Sequence, residues 1–215
     1  MAADFFFSNP TFQIQPLKRV AMLKWRHLRN EEVQYAIAAE EQYLGFHLYM
    51  LNSVRHTREG HLAHPPYIYE LGLSVRAGAV KAAVLIAGSI IEAALRALAE
   101  ARRYRLHRDP RRRTFGNVIR AWEEAGQPHA DVAAIWPNVK AIYEVRNFVH
   151  LHKAAEDVDA GWGVVLQSEQ ALLQGALRAI EHIAAIEATD RETESGWRIA
   201  DRARVRSGSD PARLP

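Results

Sequence analysis

The chain has 215 residues, of which 48% are hydrophobic and 25% charged, and its formal net charge is +3. A chain of that size buries about 70% of its unfolded surface around one core, so a single domain with tails is expected and wholesale disorder is excluded. There is no cysteine, which rules out disulfides, thiolate catalysis and cysteine-held zinc or iron–sulfur centres.

The first 70 residues read as a helical extension. Met1 to Phe7 has neither a basic n-region nor a long apolar h-region, so no signal peptide is read and a cytoplasmic protein is expected. The longest uncharged stretches, Phe5 to Leu17 and Gln42 to Val54, fall short of the about 20 apolar residues of a membrane helix, so no membrane partner is expected. The Phe5-Phe6-Phe7 cluster reads as a packing anchor. Glu31 to about Arg55 places Val33, Ile37, Leu44, Leu48 and Leu51 near a 3.6 spacing, which predicts a helix. His56 to Tyr69, with Gly60 and Pro65-Pro66, predicts a loop. Its histidines, His56, His61 and His64, fit no metal-ligand spacing, and no metal or cofactor is expected.

Ser74 to about Arg103 carries the clearest helical stripe, Val80, Val84, Ala87, Ile91, Leu95 and Leu98. Gly88 within it costs about 1 kcal/mol against alanine and would suit a close helix crossing. Thr114 is the expected N-cap of a helix ending before Gly126. Val132 to Ile135 fits one turn, and Pro137 suits the start of a helix running to about His152. Ser168 precedes a last helix with Leu172, Leu173, Ala176, Leu177, Ile180 and Ile183, while Trp162 to Leu166 is a short β-like run. The predicted fold is an all-α bundle: a helical extension over 1–70, a core over 71–188 and a charged tail over 189–215.

Charge is uneven. Arg102 to Arg120 holds eight arginines against the single acid Asp109, so this segment is net +7 in a chain of +3. Arg102, Arg103 and Arg105 sit where the long helix should end, a favourable place for cations beside the helix dipole. Arg111, Arg112 and Arg113 follow Pro110 in an expected loop, where plain solvation is the default; an anionic partner is the alternative, and with Lys153 they would then attract phosphates such as those of RNA.

The helix from Asn138 to His152 is the most informative. Its apolar stripe is Val139, Ile142, Val145 and Val149, and Arg146 lies on or beside it. An unpaired guanidinium there would cost several kcal/mol, so a carboxylate partner is required. Glu92, bordering the buried face of the long helix, is the expected partner; a surface pair between Glu92 and Arg96 is the alternative. His150 is four residues after Arg146 and shares its face, with Asn147 and Tyr143 on the same edge. His152 lies about 120° away on an ideal helix. Arginine plus imidazole is sufficient for metal-independent RNA cleavage: the imidazole moves protons at a ribose hydroxyl or a leaving oxygen, and the arginine stabilises phosphoryl charge. A helix-end histidine with a structural arginine is the alternative. No P-loop, GxGxxG or GxSxG motif competes with this site.

The run Glu144-Val-Arg-Asn-Phe-Val-His resembles the R-N-x-x-H variant of the signature helix of HEPN-like proteins. Ala82 to Leu95, with Glu92 before small and leucine residues, is similar to their long helix, Thr114 to Trp122 to the short helix that follows, and Val164 to Ile186 to the closing helix. The resemblance spans about Gly72 to Ile186. It implies a compact all-α domain, commonly a homodimer, whose active members are metal-independent endoribonucleases of toxin–antitoxin, antiphage and RNA-processing systems. Arg146, Asn147, His150, His152 and Glu92 would be the catalytic set, and an antitoxin or nucleotidyltransferase a possible partner. His150 fits the R-N-x-x-H variant, whereas His152 fits the longer spacing of active members, and Leu151 stands where the variant often has proline. A non-catalytic interaction or nucleotide-binding module, keeping the Glu92–Arg146 pair for structure, is the other function class the sequence admits.

Overall fold

The structure is a computed structural model that describes residues 14–53, 55–56, 70–71, 73–126, 130–148 and 168–186. It is an all-α bundle. The helices are α1 (Leu17–Lys24), α2 (Glu31–Ser53), α3 (Leu73–Ala101), α4 (Phe115–Glu124), α5 (Trp136–Phe148) and α6 (Glu169–Ala184), with single 3₁₀ turns at Pro110–Arg112 and Ala133–Ile135. Two two-residue strands, β1 (Arg55–His56) and β2 (Glu70–Leu71), pair in parallel, with Arg55 opposite Glu70 and His56 opposite Leu71. This pairing closes the ends of the segment read as a loop.

α3 is the central element because its apolar residues run almost around the helix, a pattern that requires neighbours on several sides. It packs against α2, α4, α5 and α6, with Val80, Val84, Ile90, Ile91, Leu95 and Leu98 buried. It is also the one described helix long and apolar enough to cross a membrane by length and composition, although 56% of its most apolar window is buried inside the bundle.

Spacing alone did not reveal α1. It is held from both sides, with Lys24 bonded to Glu41 of α2 and to Glu181 of α6 at 2.6 Å, while the Trp25 indole donates to Glu41 at 2.9 Å. Burial acts to lower the Lys24 pKa, but hydrogen bonds to Glu181 and Glu41 outweigh it and raise the pKa above the ordinary lysine value. Trp25 and Leu28 belong to the same buried cluster as α3 and α6, so α1 and α2 share one core with the remaining helices.

A buried ion pair closes one end of the bundle. Arg76 at the start of α3 pairs with Glu169 at the start of α6 at 2.5 Å and donates to the Leu51 carbonyl of α2 at 2.9 Å. On α4, the apolar side comprises Phe115, Val118, Ile119, Ala121 and Trp122. The Trp122 indole donates to the Leu95 carbonyl at 3.0 Å, satisfying a buried donor.

Candidate functional site

The α3–α5 crossing builds the site. Gly88 makes the close approach possible, since a Cβ there would lie 3.3 Å from Ile142 Cγ2 and 3.6 Å from Arg146 Cδ. The aliphatic stem of Arg146 therefore runs over Gly88 towards the next turn of α3. There its guanidinium donates to Glu92. Arg96 instead pairs with Glu100 at 3.1 Å, so the alternative surface pair does not form.

A third element completes the setting. Phe115, the first residue of α4, puts its ring 5.6 Å from the Arg146 guanidinium carbon, within cation–π range. Tyr143 meets the same ring edge-on at 5.6 Å. The tyrosine hydroxyl reaches Gly116 so closely that a Cβ there would lie 2.8 Å from it. Glycine at 116 is thus what lets the α4 N-terminus lie under the α5 side chains.

These residues wall a cleft of about 620 Å³ lined by Leu85 and Glu92 from α3, Thr114, Phe115 and Gly116 from the start of α4, and Tyr143, Arg146 and Asn147 from α5. The Arg146 side chain keeps 31% of its surface exposed while paired, and Glu92 keeps 19%. A guanidinium fixed by a carboxylate, stacked on a ring and still facing an opening can donate to an anionic oxygen that enters. The amide of Asn147 and the hydroxyls of Tyr143 and Thr114 add neutral hydrogen-bonding groups on the same walls.

Of the sequence-predicted residues, Glu92, Arg146 and Asn147 come together here. His150, His152 and Lys153 lie outside the described residues, as do the Phe5-Phe6-Phe7 cluster, the side chains of His56, His61 and His64, the Trp162 run and Trp197. Arg111 and Arg112 are exposed on a 3₁₀ turn rather than an irregular loop, because the Asp109 carboxylate accepts from the Arg111 amide at 2.9 Å and Pro110 starts the turn. Arg113 is turned inward. It bonds Glu100 at 2.7 Å and the His107 carbonyl at 2.7 Å, and so fastens the turn to the end of α3.

Sequence reasoning missed Leu85, Phe115 and Gly116 as walls of the site. The Thr114-Phe115-Gly116 run at a helix start was the available signal, but nothing local to it points across to Arg146. Among the described residues, no group of three or more His, Cys, Asp or Glu is placed to hold a metal ion. No family model, curated protein or solved structure matches the chain.

Proposed function

We propose that the protein is a HEPN-like, metal-independent endoribonuclease acting as a cytoplasmic homodimer in a toxin–antitoxin or antiphage setting, with an antitoxin or nucleotidyltransferase as partner. The observation that carries this reading is Arg146 itself: it is held by Glu92 over the Phe115 ring, yet remains partly exposed on an open cleft. A purely structural arginine has no need of that opening.

In the proposed reaction, His150 or His152 takes the proton from a ribose 2′-hydroxyl. The 2′-oxygen forms a bond to phosphorus, the bond from phosphorus to the 5′-oxygen breaks, and an imidazole protonates that leaving oxygen. Arg146 stabilises the charge gathering on the non-bridging oxygens, Asn147 hydrogen-bonds the phosphate, and Glu92 positions Arg146. The products are a 2′,3′-cyclic phosphate and a 5′-hydroxyl. The test is incubation of RNA with chelator-treated protein, with fragments carrying cyclic phosphate ends as the expected result. If the wild-type protein and the His150→Ala/His152→Ala variant leave RNA equally intact, the nuclease reading fails.

A second reading draws on the same contacts. Glu92 and Phe115 together satisfy Arg146 within the bundle, as a non-catalytic module would require. That reading predicts a lowered melting temperature for Arg146→Ala as the main effect, whereas lost cleavage at an unchanged melting temperature contradicts it.

A further inference from the structure

The arginines between 102 and 113 fall into two groups. Arg102 pairs with Asp131, and its guanidinium lies 5.1 Å from the Trp122 ring; hydrogen bonds to Asp131 and Tyr104 outweigh the effect of burial and raise its pKa. Arg113 bonds Glu100 and also reaches the Arg108 carbonyl at 3.5 Å. These two are internal fasteners. Arg103, Arg105, Arg108 and Arg111 are exposed and meet no carboxylate among the described residues. Arg112 is 4.0 Å from Asp109 with 73% of its side chain exposed, a pairing of little energetic weight.

The backbone beneath the exposed group is held firmly. Arg113 closes the 107–113 segment on itself, Asp109 caps the 3₁₀ turn, and the Asn117 amide donates to the Arg112 carbonyl at 2.5 Å. Tyr104 and Leu106 pack against the core, with Tyr104 edge-on to Trp122 at 5.1 Å. The apolar residues of the connection therefore face inward, and its cations other than Arg102 and Arg113 face outward. The exposed face thus offers cations without the aromatic or apolar anchor that usually accompanies arginine at the centre of a protein interface.

Arg103 adds an independent observation. It occupies φ = 60°, the only positive φ of a non-glycine residue among those described. Its amide donates to the Glu100 carbonyl at 3.2 Å and the Tyr104 amide donates to the Ala99 carbonyl at 2.9 Å, the helix-ending arrangement in which glycine is favoured. A side chain there is strained, yet the position carries an arginine, at the start of the exposed group.

We propose that Arg103, Arg105, Arg108, Arg111 and Arg112 form a track for the sugar–phosphate backbone of single-stranded RNA, leading into the Arg146 cleft. Arg112 stands two residues before Thr114, the first cleft-lining residue of the α4 start, so the track and the cleft are at most about 7 Å apart along the chain. A cleft of about 620 Å³ takes a unit the size of one or two nucleotides, not a duplex. Its half-buried Tyr143 ring supplies an aromatic component of the kind that single-strand sites combine with basic grooves, while the buried Phe115 ring supports the Arg146 guanidinium from beneath. The choice of RNA rests on the ribonuclease reading.

The test uses the full chain and a 2′-O-methyl oligonucleotide, which binds as RNA does but has no free 2′-hydroxyl to react. Affinity is followed by fluorescence anisotropy over a salt series. Losing two phosphate contacts in an Arg111→Ala/Arg112→Ala variant should reduce the slope of log affinity against log salt by about 1.4, with the melting temperature unchanged. The Arg103→Gly variant should show opposite signs: a melting temperature higher by about 2–4 °C from relieved strain, and a salt slope smaller by about 0.7. An unchanged slope in both variants overturns the track. Equal weakening of binding to an acidic polypeptide in the same variants overturns the nucleic-acid assignment. Cleavage of ordinary RNA with the slope unaltered sinks the track alone, and a reduced slope without any cleavage sinks the nuclease reading alone.

Discussion

Arginine is used in two ways on either side of the α4 N-terminus. In the cleft, Arg146 is clamped by Glu92, stacked on Phe115 and laid over Gly88, so its position is decided by three helices at once. In the α3–α4 connection, Arg103, Arg105, Arg108, Arg111 and Arg112 stand in solvent on a backbone fixed by other groups. The same side chain is a positioned hydrogen-bond donor in one place and a diffuse positive field in the other. Partner carboxylates and packing make the difference, and the two regions should respond to mutation with different size and character.

The largest effect is expected at Gly88. Gly88→Leu inserts a branched side chain where a bare Cβ already lies 3.3 Å from Ile142, and overpacking of this kind costs about 3 kcal/mol. Thermal melting should fall by about 6–12 °C, and Arg146 should be pushed from Glu92. A melting temperature within 2 °C of wild type would mean that the α3–α5 crossing is looser than described. Glu92→Ala comes next. Leaving a half-buried guanidinium without its carboxylate costs about 2 kcal/mol, which chemical denaturation would read as a lower midpoint at the same slope.

A smaller contrast lies within the basic connection. Arg113→Ala, which removes the fastener between the turn and Glu100, should cost about 1 kcal/mol, whereas Arg111→Ala should stay within about 0.5 kcal/mol of wild type. Equal destabilisation by the two would erase the division between internal and displayed arginines.

The smallest effect concerns Lys24, which fastens α1 to α2 and α6 and belongs to neither region. Its raised pKa means that the folded state holds this proton more tightly than the unfolded chain does. The resulting stability is complete below about pH 10.4 and is lost as pH rises through the folded pKa. Melting temperature should therefore decline at strongly alkaline pH. Lys24→Met should flatten that part of the profile, and an unchanged profile would show that the Glu41 and Glu181 contacts contribute nothing to stability.

Local pattern carried much of the architecture. The 3.6-residue stripe of Val80 to Leu98 marked α3, the Gly126 signal marked the end of α4, and Pro137 fell in the first turn of α5. The need of Arg146 for a carboxylate was also legible, because a cation beside a buried stripe requires one, and Glu92 bordered the buried face of the clearest stripe. α1 was not legible: it is short, and Lys24, Trp25 and Glu41 hold it from outside.

By itself the sequence determined the longer helices, though not α1, and the demand for a partner at Arg146, because hydrophobic periodicity and the cost of an unpaired buried charge act at the level of one helix and its register. Tertiary structure alone decided which arginines are occupied and which are displayed, that Phe115 lies under Arg146, and that Ile142 and Arg146 close on Gly88 while Tyr143 closes on Gly116. Those outcomes depend on groups that meet from different helices, across 54 residues in the case of Glu92 and Arg146. Spacing along one chain segment holds no record of such meetings, since they are fixed only when close packing selects one arrangement of all the helices together.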